Sequence, residues 1–199
     1  KEMGKQIYLE RIEKLFEKSP VVDFRSIERI INTKKKKKYA KLLVHNLLKK
    51  EKIKRIGKGY YTKHDESSLS VFSFKPAYLG LQTALSFYGL WEQETVPVIL
   101  TTKKVRRGIR KILESNIFIR NININHFFGF SLLKEGDFYL PYSDLEKTLI
   151  DMFAFNQKIE KETLNKIKKR INKHRLETYL KRYPPNLRNK IKKEINNKS

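Results

Sequence analysis

Cysteine is absent from this chain of 199 residues, and Met (2), Trp (1), Pro (6) and Gly (8) are scarce. Without cysteine there is neither a disulfide framework nor a thiolate metal site, so packing alone must hold the fold. No apolar run approaches the roughly 18 residues of a membrane span, and the N-terminal stretch lacks the pattern of a signal peptide. A cytoplasmic protein with no membrane partner is expected. His45, His64, His126 and His174 are isolated from one another, which excludes the paired histidines of a metalloprotease helix. The glycines form neither a P-loop nor a dinucleotide fingerprint, and no carboxylate is followed two residues later by lysine, the element common in metal-dependent nucleases. These absences predict a non-enzyme without cofactor or metal.

Acidic residues are the minority charge: 21 Asp+Glu stand against 45 Lys+Arg, a formal net charge of +24. The excess is uneven. Residues 1 to 70 carry 20 Lys+Arg and 9 Asp+Glu (net +11), residues 71 to 157 carry 10 and 8 (net +2), and residues 158 to 199 carry 15 and 4 (net +11). Two cationic ends around a near-neutral middle point to a polyanionic partner, because each phosphate neutralised releases counterions. The charge alone leaves open whether that partner is DNA, RNA or an anionic membrane.

Pro20 to Lys63 is the most patterned stretch. Asp23 is placed to cap a short helix carrying Phe24, Ile27, Ile30 and Ile31, which Asn32-Thr33 then breaks. A second helix starts in the lysine run and lasts to about Lys50. At about 100° per residue, Ala40, Leu43 and Leu47 share its buried side while Lys34, Lys37, Lys38, Lys41, His45 and Lys49 share the other. Ile53-Lys54-Arg55-Ile56 and Tyr60-Tyr61-Thr62 flank Gly57-Lys58-Gly59 as a β-hairpin with a lysine at its tip. With a first helix over about Gly4 to Lys18, the order is that of a winged helix-turn-helix. Its second helix would lie in the major groove, with Lys37, Lys38, Lys41 and His45 facing base edges and Lys34 and Lys49 at phosphates. Lys54, Arg55 and Lys58 on the wing would meet the flanking backbone. A merely solvated lysine face is the alternative reading.

The expected fold class is α+β: a winged helix-turn-helix over 1–63, a polar linker over 64–75, a small mixed domain over 76–157 and a basic helical tail over 158–199. In the middle domain Pro76 is expected to open a helix through Leu81, Ala84, Leu85 and Tyr88 that Gly89 stops. Val96 to Thr101, Ile117 to Ile124, Phe127 to Lys134 and Phe138 to Leu140 read as strands of an antiparallel sheet, with Thr102 to Glu114 ambiguous between helix and loop. Ser143-Asp144-Leu145-Glu146 has capping-box spacing ahead of a helix through Leu149, Met152 and Phe153. Asp151, one turn from Lys147, reads as half of a surface ion pair. Pro184-Pro185 is expected to divide two or three short helices in the tail, whose lysines either add phosphate contacts or only solvate a scaffold.

Within the middle domain stand Ala84-Leu85-Ser86-Phe87-Tyr88-Gly89-Leu90, Val98-Ile99-Leu100-Thr101-Thr102-Lys103, Phe128-Gly129 and Glu146-Lys147-Thr148-Leu149-Ile150-Asp151. In this order after a winged helix, over about residues 6 to 155, the pattern resembles the AbiE-type antitoxins, transcriptional regulators of abortive-infection, or viral-defence, systems. The resemblance implies an N-terminal domain that binds inverted repeats of double-stranded DNA at its own promoter, with two protomers on the operator. It also implies that the rest of the chain antagonises a toxin of the nucleotidyltransferase class. Read from the residues alone, a non-regulatory RNA-binding protein and a module that binds a toxin without DNA stay open.

Overall fold

The computed structural model describes residues 2–31 and 34–197. The helix break expected at Asn32-Thr33 lies outside them. The described chain is α+β and divides into two compact units: residues 1–74 with 111–116, and residues 75–110 with 117–199.

In the first unit, α1 (Glu2–Lys18), α2 (Phe24–Ile30) and α3 (Lys36–Lys49) bury one apolar side each. The shared core contains Ile12, Phe16, Ile27, Ile31, Ala40, Leu43, Val44 and Leu47. Asp23 caps α2, accepting from the Ser26 amide at 2.8 Å, which satisfies one of the unpaired donors of the first turn. Three short strands complete the unit: β1 (Val22–Asp23), β2 (Lys54–Gly57) and β3 (Tyr60–Thr62), in the antiparallel order β1-β3-β2. A register shift between Arg55 and Gly57 opens the β2-β3 turn, where Gly59 takes φ +79, a conformation glycine adopts without steric cost.

The linker expected over 64–75 is corrected. Ser67–Phe74 form a 3-10 helix of the first unit, and Leu69, Val71 and Phe74 are buried in it. The serines that suggested a linker close the helix instead. Ser70 Oγ donates to Ser67 O at 2.6 Å, and Ser73 Oγ lies 2.8 Å from Ser70 O and 3.3 Å from Ile56 O. Short hydroxyls compete for local carbonyls, so a serine-rich run is compatible with a tight helix as well as with a loop.

The second unit is built on a six-stranded sheet in the order β6-β7-β5-β4-β9-β8. Its strands are β4 (Ala77–Leu79), β5 (Val98–Thr101), β6 (Gly108–Ile112), β7 (Ser115–Asn121), β8 (Phe130–Glu135) and β9 (Phe138–Ser143). The sheet is mixed, where an antiparallel one was expected: β5 runs parallel to β7 and β4 parallel to β9, while β4-β5 and β8-β9 are antiparallel. Period-two alternation reports which faces a strand presents and carries nothing about the direction of its neighbour. Pro76 precedes β4, not a helix; α4 is shorter, Gln82–Phe87, with Gly89 at φ +68 just beyond it.

Helices α5 (Leu145–Ala154), α6 (Lys161–Arg170), α7 (Lys173–Leu180) and α8 (Pro185–Asn196) follow, and Pro185 opens α8 at its first turn. The basic tail belongs to the second unit's core. Leu164, Ile167, Ile171, Leu176, Leu180, Tyr183 and Ile191 are buried with Leu85, Leu149 and Met152. Its lysines and arginines therefore line the solvent side of packed helices.

Candidate nucleic-acid interface

Helix α3 holds its cations outward because its buried positions are fixed by the first unit's core. Lys34, Lys37, Lys38, Lys41, His45 and Lys49 are all exposed, as are Lys35 and Lys36. The last two were left out of the sequence-based set; they occupy the same run, and exposure alone adds them. Leu42 is 53% exposed in the middle of this cationic surface. The helical wheel contained that signal, since at about 100° per residue Leu42 falls within about 40° of Lys38 and Lys49 and about 140° from Leu47.

Lys41 and His45 of α3 line one groove with Arg55 and Lys58 of the β2-β3 hairpin, over a floor of Phe24, Val44 and Leu48. These four residues, with Lys111, Ile112 and Leu113 from a third segment, thus meet in a single concave, cation-edged surface. The Arg55 guanidinium lies 5.9 Å over the Tyr61 ring, which orients its planar fork while leaving the side chain exposed.

Two expected members are placed differently. Lys54 forms an ion pair with Asp65, so part of its charge is answered within the chain. Lys49 lines another groove, with Leu9 and Glu13 of α1 and with Lys50 and Lys52. Lys34, Lys37 and Lys38 lie outside both grooves, at the exposed N-terminal end of α3.

The second unit also buries a small set of charged groups, Glu146, Lys147 and Asp151. Lys147 and Asp151 form an ion pair with side chains 0% and 1% exposed, which corrects the surface pair expected from their spacing. The other Asp151 oxygen accepts from Tyr78 Oη at 2.6 Å, and the Lys147 ammonium lies 5.3–5.8 Å from the ring centres of Tyr78, Phe128 and Tyr183. Burial pushes the Asp151 carboxyl up and the Lys147 ammonium down, and each partner opposes the other's shift. Burial, then Asp151, likewise pushes the Tyr78 phenol well above its ordinary value.

The start of α5 also differs in detail from its expected capping box. Asp144 is the cap, accepting from the Lys147 amide at 2.7 Å, while Ser143 Oγ pairs with Thr148 Oγ1 at 2.7 Å. Glu146 turns toward α7, accepting from the Asn172 amide at 2.5 Å and from Arg175 Nη1 at 3.4 Å. Tyr179 Oη donates to Asp144 Oδ2 at 2.7 Å, so the carboxylates of the α5 entrance fasten the tail helix to it. Among the described residues no cluster of three or more His, Asp or Glu is arranged to hold a metal, and no helix is long and apolar enough to cross a membrane.

No known protein family and no curated protein matches the sequence. Among solved structures, the chain is similar to the RV2827C protein from Mycobacterium tuberculosis, with a TM-score of 0.59 and 12% identity over 96% of this chain and 78% of that one. At that identity the likeness is one of fold.

Proposed function

We propose that this protein is a sequence-specific DNA-binding transcriptional regulator, with the first unit acting as a winged helix-turn-helix. The groove shared by Lys41, His45, Arg55 and Lys58 carries the reading. Two further observations support it: the α1-β1-α2-α3-β2-β3 order with a β1-β3-β2 sheet, and the run of exposed lysines at the start of α3. In this reading α3 enters the major groove, with Lys41, His45 and the exposed Leu42 toward base edges. Leu42 suits a thymine methyl, and the lysines of the helix start suit phosphates. Lys58 and Arg55 on the hairpin meet the flanking backbone. Lys54 and Lys49 contribute less, the first because Asp65 screens it and the second because it lines the α1 side of the helix.

Together with the motif resemblance, this suggests the antitoxin of an abortive-infection system. The first unit represses its own promoter as two copies on inverted repeats, and the second unit binds a nucleotidyltransferase-type toxin. Lys41→Glu tests the DNA half. It replaces an attraction by a repulsion at the centre of the groove, so fluorescence anisotropy should show loss of operator binding while circular dichroism stays unchanged. Unaltered affinity would exclude α3 as the reading helix. Co-expression with the adjacent gene product tests the other half: growth rescue that survives Lys41→Glu is expected if toxin binding resides in the second unit.

A further inference from the structure

A cavity of about 510 Å³ in the second unit is left unused by both proposed roles. Its polar lining includes Asn121, Asn123, His126, Asp151, Asn156, Asn186 and Lys190, and its apolar walls include Phe153, Phe155 and Leu187. Apolar walls with a few convergent polar groups, at this volume, are the usual composition of a small-molecule site.

The hydrogen-bond inventory points to the same place. Buried polar atoms nearly always have partners. Among the described residues three buried side-chain atoms lack one: Arg120 Nε, Tyr183 Oη and Arg188 Nε. One of the three lines this cavity, and the other two adjoin residues of its lining. Tyr183 lines it; Arg120 lies 5.1 Å over the ring of the lining Phe155; and Arg188, next in sequence to the lining Leu187, donates through Nη2 to Tyr183 O at 3.1 Å. Each orphan is a donor, so the missing partner is rich in acceptors.

The charge agrees. Asp151, the one carboxylate in the lining, is already answered by Lys147 and Tyr78, whereas Lys190 adds an exposed cation. His126 stacks on Tyr183 with ring centres 4.1 Å apart and planes 15° from parallel, giving the site a flat aromatic wall. Of the four asparagines, Asn121 donates to Lys103 O and Asn123 accepts from the Asn125 amide, while the amides of Asn156 and Asn186 supply paired donors and acceptors of the kind that read a base edge.

We propose that this cavity binds a nucleotide. Tyr183 Oη and Lys190 meet its phosphate, backed by the positive charge of Arg120 and Arg188 behind the lining, and the asparagine amides and aromatic walls take its base. The test is calorimetric titration of the full chain with AMP, GMP, CMP and UMP, with the corresponding nucleosides and inorganic phosphate as separate arms. At least one nucleotide is expected to bind with a dissociation constant below about 1 mM, more tightly than its nucleoside or phosphate. Tyr183→Phe removes a hydroxyl that bonds nothing within the protein. It should leave thermal stability unchanged and weaken that nucleotide about tenfold, as expected for one lost hydrogen bond. Lys190→Ala should lessen the advantage of nucleotide over nucleoside. The proposal is overturned if no nucleotide binds, if phosphate alone binds equally well, or if both variants bind like the parent, which would assign the binding to the basic surface.

Discussion

Lys147 lies four residues from Asp151, a spacing that on most helices makes a solvated pair of small value. Here both groups are out of water, and the consequences reverse. Lys147→Ala would strand a buried carboxylate, a change that costs about 3–5 kcal/mol in comparable sites. Replacing both residues by apolar ones of similar volume should recover most of that loss, and chemical denaturation of the single and double variants measures the difference. Spacing gave the partnership of these residues, but their burial depends on Tyr78, Phe128 and Tyr183, which close over the ammonium from distant parts of the chain. Such a cage has no local signature.

The tyrosines of this unit carry a pH dependence of definite sign. Tyr88 is pushed up to about 12, first by burial and then by Asp144. Burial, followed by hydrogen bonding to Glu135, raises Tyr142 further, and Tyr183 is raised chiefly by burial. A folded value above the unfolded one of about 10 favours the neutral phenol. The contribution is therefore complete below pH 10 and is lost as pH rises through the folded values. Ultraviolet titration should show Tyr88, Tyr142 and Tyr183 ionising only together with alkaline unfolding. A single transition near pH 10 with the fold intact would contradict this burial pattern.

Among the elements, the 3-10 helix over 67–74 couples the β2-β3 hairpin to the rest of the first unit. A Cβ added at Gly57 would lie 2.4 Å from Ser73 Cβ, so the two segments touch with no room for a methyl group. Gly57→Ala should therefore lower the stability of this unit by about 1–3 kcal/mol and expose 67–74 to limited proteolysis. Helices and hairpins with strong periodicity were legible: α2 with its Asp23 cap, α3 with its two faces, the hairpin and the interrupted tail all follow from spacing. The two-residue β1 is too short for any pattern to show, and β6 emerges from a basic stretch that read as helix or loop and is corrected to a strand. The mixed sheet order was invisible for a related reason, because pairing partners are chosen across the chain.

For the molecule as a whole, the +24 charge divides into two kinds of surface. In the first unit, cations from α3 and the hairpin converge on one groove. In the second, the basic residues of α6, α7 and α8 sit on the outer sides of helices whose apolar sides join a common core. Four of the nine residues expected at the interface share the groove, and Lys54 and Lys49 are turned to other partners. The sequence showed which residues were cationic and outward; the groove itself required the hairpin to fold back beside α3.

The most direct measurement is a mobility-shift titration of the protein with DNA from upstream of its own gene, against random duplex and duplex RNA, at two salt concentrations. Sequence-specific repression requires a preference for the upstream DNA that persists at the higher salt, with log affinity falling by about 0.9 per released phosphate contact against log salt. Equal binding to all three nucleic acids, collapsing as salt rises, would contradict it and leave the charge of this protein a non-specific attraction.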